Sequence, residues 1–171
     1  MNSLDQATDK VIDKIQLIDV LIEQLNQVYL GALEAADRAH STATDEENVA
    51  ENQYDTLALE AAYLAHGQSQ RVAECMADLA AYQKLKQSMP TTREQVLLGC
   101  LVHLIDENDN AKFVFFGPSA GGIKVTFAGQ EVVVVTPNSP LGEALLGLEV
   151  GDDAEVHLGI KIANYEVVAI S

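Results

Sequence analysis

Six carboxylates, Asp45, Glu46, Glu47, Glu51, Asp55 and Glu60, lie between Arg38 and Arg71 with no basic residue among them. Carboxylate oxygens are hard donors suited to Mg²⁺. Two or three of them that cannot surround an ion alone could complete a coordination shell in another protein. The same acids also have a purely structural use, because Asp45–Glu47 can open a helix, where they complement its dipole and Thr44 can serve as the cap. Catalysis housed in the chain itself has little support. His40, His66, His103 and His157 are scattered, and there is no HxxxH pair, no GxSxG and no phosphate-binding loop. His103 and His157 fall in β runs and are expected to be structural. Gly121-Gly122 is too short to cradle a phosphate and reads as a turn. Phe113, Phe115, Phe116 and Phe127 could line a ligand groove, although a small β domain needs such rings for its core. Cys75 and Cys100 lack any CxxC partner and read as small buried hydrophobes rather than as a disulfide or zinc framework.

The elements that must position these residues belong to a chain of 171 residues, 48% hydrophobic and 21% charged, within the globular range. No apolar run approaches the roughly 18 residues of a membrane span, and MNSLDQATDK lacks a basic n-region followed by an apolar h-region, so a cytoplasmic location is expected. Ten Lys and Arg against 26 Asp and Glu give a formal charge of −16. Independent, phosphate-driven binding to nucleic acid is therefore disfavoured, and a basic protein partner or a cation is the better match.

From Ser3 to Ala39 the apolar residues step by alternating fours and threes through Val11, Ile15, Ile18, Ile22, Leu25, Tyr29, Ala32, Ala36 and Ala39. That spacing predicts a heptad seam on one long helix, with Ser3 and Gln6 at capping-box spacing. The segment STATDEENVAEN interrupts the seam, and a second one follows through Ala50, Tyr54, Leu57, Ala61, Leu64, Val72, Cys75, Leu79, Tyr82 and Leu85, with Gly67-Gln68 as a gap. Two helices of similar length with a short connector fold most simply as an antiparallel hairpin. Roughly 35 residues of helix make an arm of about 50 Å. The expected organisation is an arm over residues 1–89 with its acidic tip near 41–52, a linker over 90–95 at Met89-Pro90-Thr91-Thr92, and a second domain over 96–171.

In that second domain the pattern changes to β runs at Gly99–Ile105, Lys112–Phe116, Ile123–Phe127, Glu131–Thr136, Ala154–Leu158 and Tyr165–Ile170. Ser139, Pro140 and Gly147 bracket LGEALL as the N-cap, first position and C-terminal glycine of one short helix. The fold class is α+β: an N-terminal antiparallel α-helical coiled-coil hairpin, then a small, mostly antiparallel β domain with one short helix.

This arrangement, together with Ser139-Pro140-Leu141-Gly142-Glu143-Ala144-Leu145-Leu146-Gly147 followed by Val150-Gly151-Asp152, resembles the Gre family of bacterial transcription elongation and transcript-cleavage factors. The likeness extends loosely from Val96 to Ile170 and agrees in architecture along the arm. It implies an FKBP-like C-terminal domain that docks on the rim of the secondary channel of RNA polymerase, with Ser139, Pro140, Leu141, Gly142, Leu145 and Gly147 as the docking segment. It further implies an arm that enters the channel, where tip acids help hold a second Mg²⁺ shared with the polymerase and position water to cleave backtracked RNA. The chain would then be an accessory factor rather than an enzyme. It would touch nascent RNA only within the complex and hold no stably bound metal of its own.

Two registers carry the family's Asp-x-x-Glu-Asn tip onto this sequence. In the first, Asp45-Glu46-Glu47-Asn48 is one residue shorter, and Asp45 and Glu47 form the metal-binding pair with Glu46 between them. In the second, Glu51-Asn52 supplies the Glu-Asn pair with Tyr54 as the nearby aromatic, and Asn48 stands where the family has aspartate. Arg38 and Arg71 are the only cations of the distal arm. A non-cleaving competitor that plugs the channel is the same-class alternative. A chaperone or peptidyl-prolyl isomerase with a dimerising coiled coil, or a coiled-coil adaptor, belongs to a different class.

Overall fold

The computed structural model describes residues 3–44, 56–89 and 93–171. Helix α1 runs Ser3–Thr44 and α2 runs Thr56–Gln87. They are followed by β1 (Leu101–Asp106), β2 (Ala111–Phe116), β3 (Lys124–Phe127), β4 (Gln130–Val135), α3 (Pro140–Leu145), β5 (Asp153–Leu158) and β6 (Lys161–Ile170). The chain divides into two compact units, Met1–Ile22 with Ala81–Ser171, and Glu23–Ala80. Ala50, Tyr54 and Pro90-Thr91-Thr92 lie outside the described residues, as do the side chains of Ser3, Gln6, Val11 and Leu57.

The two long helices form the predicted antiparallel hairpin, with the Lys86 ammonium near the end of α2 paired to the Asp19 carboxylate early in α1. On α1 the predicted seam holds at seven-residue intervals: Ile18, Leu25, Ala32 and Ala39 are all buried. The helix continues beyond Ala39 through Thr44, so Ser41–Thr44 belong to it and not to the interruption read from Ser41. Thr42 and Thr44 donate their hydroxyls back to the carbonyls of Arg38 and His40 at 2.9 and 3.0 Å, which satisfies them inside the helix. On α2 the seam differs by one position. Leu64 is 56% exposed, while Ala61, Ala65, Gln68 and Val72 are half-buried and Cys75 and Tyr82 fully so. The pattern of fours and threes therefore passes through Ala65 and Gln68, and the helix runs unbroken through Gly67. Hydrophobicity favoured the larger leucine as the seam member, but helical spacing sets the face.

The unit containing the sheet has strand order β3-β4-β2-β1-β6-β5. All its pairings are antiparallel except β2 with β4, because the β3–β4 hairpin is added at the far side of β2 and brings β4 back in the direction of β2. Strand β6 begins at Lys161, four residues before the predicted Tyr165. A two-residue loop, Gly159-Ile160, joins Leu158 to Lys161, and Gly159 at φ +69 occupies the first loop position, where a II′ hairpin favours glycine.

Both faces of the sheet are used. On one, Val102, Leu104, Val114, Phe116, Val135 and Val167 pack with Val96, Leu145 and Ala154. The alternate positions form the other face, where register places Leu101 and His103 beside Phe115 and Phe113 and these beside Val134 and Val132. The base of the hairpin covers this second face: the Tyr82 ring lies 6.3 Å from that of Phe115, and the Tyr82 hydroxyl donates to the Ser119 carbonyl at 3.0 Å. Lys14 shares a cavity with Leu101, Phe113 and Val132 of this face, which accounts for its burial off the predicted seam; Leu17 and Leu21, also off the seam, are fully buried. At its base α1 meets more than its partner helix, so its buried stripe widens.

Candidate functional site

The segment from Thr136 to Asp152 is built from short-range hydrogen bonds and is tied to the rest of the domain at Val96 and Val167. Ser139 caps α3: its hydroxyl accepts from the Gly142 N–H at 3.1 Å and donates to the Thr136 carbonyl at 2.8 Å. Its extended backbone and Pro140 at the first helical position complete the start signal. Gly142 is required by space, since a Cβ there would fall 1.8 Å from the Thr136 carbonyl oxygen. Leu145 is fully buried in the core. Gly147, at φ +81, ends the helix, and its N–H donates to the Val96 carbonyl at 2.9 Å while the Val96 N–H donates to Leu148 at 2.8 Å. After it, the Asp152 carboxylate accepts from the Glu149 N–H at 2.8 Å, closing the Val150-Gly151-Asp152 turn.

An open apolar groove of about 540 Å³ lies beside this segment. Ser139, Pro140 and Leu141 line one part, the end of β4 and the Gly121-Gly122 turn another, and Leu158 a third. Of the predicted docking residues, Ser139, Pro140 and Leu141 are thus brought together at the groove. Gly142 and Leu145 are buried, where they set the shape of the segment, and Gly147 is exposed at the end of α3. Sequence reasoning missed the exposed apolar residues of the adjoining β5–β6 hairpin: Leu158 and Ile162 are more than half exposed and Ile160 is completely so. The signal was the run Leu158-Gly159-Ile160-Lys161-Ile162, where apolar residues flank a two-residue turn.

The acidic tip residues Asp45, Glu46, Glu47, Asn48, Glu51 and Asn52 lie outside the described residues. The two cations that flank them are engaged with neighbours on their own helices, Arg38 with Glu34 at 3.8 Å and Arg71 with Glu74 at 3.3 Å, all well exposed. The histidines do not converge. His103 stacks on Phe113 with ring centroids 4.5 Å apart and planes 9° from parallel, and His157 contacts Glu155 at 2.9 Å on the surface. Both cysteines are buried and free. Among the described residues no three His, Cys, Asp or Glu side chains are grouped to hold a metal ion, and no helix is long and apolar enough to cross a membrane. Phe115 and Phe116 are core residues as expected, whereas Phe113 and Phe127 line a second, smaller cavity.

The sequence over residues 90–171, which contains the capped segment, the groove and the whole sheet, matches the family described as transcription elongation factor, GreA/GreB, C-term. Over these residues the chain carries the Gre-family C-terminal domain. It is 30% identical over 103 residues to transcription elongation factor GreA of Thermodesulfovibrio yellowstonii, covering 59% of this chain. It is 30% identical over 102 residues to the GreA of Polaromonas naphthalenivorans, covering 58%. The aligned stretch spans 60% of the length of each of these curated relatives. Among solved structures, the chain is similar to GreA factor homolog 1 (Gfh1) of Thermus thermophilus at 20% identity and a TM-score of 0.37, covering 88% of this chain and 94% of that one. Gfh1 of Thermus aquaticus matches at 22% identity and a TM-score of 0.38, covering 86% and 92%.

Proposed function

We propose that this chain binds RNA polymerase through its Gre-family C-terminal domain and carries the acidic tip of its hairpin into the secondary channel of the enzyme, where it stimulates cleavage of backtracked transcripts. The observation that carries the reading is the family match over residues 90–171, which takes in the segment that caps α3 and lines the apolar groove. Pro140, Leu141 and Leu158 line an open apolar groove, and Ile160 is exposed in the turn that follows Leu158, an arrangement that a protein partner can cover. The formal charge of −16 suits a basic partner surface.

At the tip the donors are all oxygens, from carboxylates and in the second register also from asparagine amides, which fits a hard cation. Asp45, Glu46 and Glu47, or in the other register Glu51 with Asn48 and Asn52, would hold a Mg²⁺ shared with the polymerase. When bound, that ion supplies an activated water for phosphodiester hydrolysis. The contribution of the chain is to bring oxygen ligands to it and to hold them in place.

The test is RNA cleavage in purified backtracked polymerase complexes with Mg²⁺. Wild type is expected to accelerate cleavage, and Asp45→Ala and Glu47→Ala to reduce it by at least about tenfold. Loss in Glu51→Ala instead would select the second register. Binding without cleavage would make the chain a channel-blocking regulator, and absence of binding would overturn the reading. Ile160→Asp changes only an exposed loop side chain and is expected to weaken polymerase binding while leaving the fold intact.

A further inference from the structure

Between Leu59 and Ala80, α2 carries a second heptad pattern besides the seam it turns toward α1. Leu59, His66, Ala73 and Ala80 recur at intervals of seven, with Tyr63, Gln70 and Ala77 in the row on one side and Ala62, Ser69 and Met76 in the row on the other. All ten are exposed, the three largest apolar side chains markedly so: Leu59 56%, Tyr63 69% and Met76 55%. The four Asp, Glu, Lys or Arg residues of the same stretch, Glu60, Arg71, Glu74 and Asp78, all fall in the heptad rows of Gly67 and Leu64, outside this face. In the same compact unit the exposed side of α1 holds Glu23, Glu34, Asp37 and Arg38. A face about six turns long and free of carboxylates is unusual on a chain of formal charge −16. It is where a second, equally acidic molecule meets the least repulsion. Covering it strands no hydroxyl, because Ser69 at its middle already donates to the Ala65 carbonyl at 2.9 Å.

We propose that this face binds a second copy of the chain, the two α2 helices lying antiparallel over residues 59–80. The order of side-chain sizes sets the direction, since large residues stand at one end of the face and alanines at the other. A twofold axis between Ser69 and Gln70 puts Leu59 of each copy against Ala80 of the other, His66 against Ala73, and Tyr63 against Met76, a favourable ring–thioether pair. Parallel pairing would instead set Tyr63 against Tyr63 and leave Ala73, Ala77 and Ala80 facing one another across a gap. The contact is about 33 Å long and one helix wide, which puts it among small, transient interfaces that form at high concentration and dissolve on dilution. The reading does not rest on polymerase binding.

The test is sedimentation equilibrium of the full chain from about 10 to about 500 µM. A monomer–dimer equilibrium is expected, and it should tighten with added salt, which screens the repulsion between two acidic copies. Gln70→Glu brings two carboxylates together at the axis and should weaken the dimer by at least about tenfold. Leu64→Glu adds the same charge outside the face and should change it by less than about twofold. Both positions are exposed, so the variants are expected to keep the helix, which circular dichroism checks. Direction is read by mild oxidation of mixed single-cysteine variants. Tyr63→Cys with Met76→Cys should give the mixed disulfide in excess over either homodimer, because the two copies of position 63 lie about 20 Å apart. Cys75 and Cys100 are buried, and the wild type should not cross-link. A chain that stays monomeric throughout, equal effects of the two glutamate variants, or an excess of Tyr63→Cys homodimer would each overturn the proposal.

Discussion

A Cβ at position 142 would meet the Thr136 carbonyl oxygen at 1.8 Å, and backbone cannot move aside as a flexible side chain can. Gly142→Ala is therefore expected to cost about 3 kcal/mol or more, read as a fall in the urea midpoint. The opposite sign is expected at the β3–β4 turn, where Ala128 and Gly129 sit at φ +49 and +78 in a two-residue loop. Alanine is strained in that region and asparagine tolerates it, so Ala128→Asn should stabilise by about 0.5–1 kcal/mol in the same measurement. Asp106 at the β1–β2 turn is a pH-sensitive residue. Hydrogen bonds from the Asn110 side chain, then from the backbone N–H groups of Asn110 and Asn108, hold its carboxyl below the ordinary 3.8 against the desolvation that opposes them. A group whose folded value is lowered stabilises fully above its unfolded value and loses that contribution as pH falls through the folded one. Hydrogen-exchange protection of the Asn108 and Asn110 amides should accordingly drop below about pH 4, in the ordinary carboxylate range, with the core amide of Val114 as an unaffected reference.

Element by element, much of the fold was legible because periodicity reports burial directly. The interval of seven through Ile18, Leu25, Ala32 and Ala39 is visible in the sequence and is buried in the structure, and the Ser139, Pro140 and Gly147 punctuation of α3 lies where the residue types put it. The misreadings have local causes. Leu64 outranked Ala65 and Gln68 by hydrophobicity although it lies one position off the face, and Lys14 is buried beside a sheet more than 80 residues away in sequence, which no local pattern reveals. The correction on α2 has a measurable outcome. Gln68→Leu, placed on the half-buried seam, should raise hairpin stability by about 1 kcal/mol, while Leu64→Lys should change it by less than about 0.5 kcal/mol; thermal unfolding compares the two. At the segment proposed for docking, the sequence identified the capping residues Ser139 and Pro140. It did not identify the exposed Leu158, Ile160 and Ile162 of the β5–β6 hairpin, because the run that holds them marks a turn between apolar residues without showing whether another element covers them.

For the whole molecule, the acidic balance predicts how the proposed partnership behaves. If a basic surface of the polymerase receives this chain, association should slow steeply as ionic strength rises while dissociation changes little, a split that stopped-flow measurement across a salt series would show. The compact unit that joins Met1–Ile22 to Ala81–Ser171 has a further consequence, which concerns synthesis rather than the finished protein. Leu17, Ile18 and Leu21 leave the ribosome well before Ala81–Ser171, yet the unit in which they are buried is completed only when β6 follows. At ordinary elongation rates that interval is on the order of ten seconds. Throughout it the nascent chain displays an uncovered apolar stripe, so ribosome-bound chains halted before Ala81 should be held by chaperones, and chains released after β6 should not.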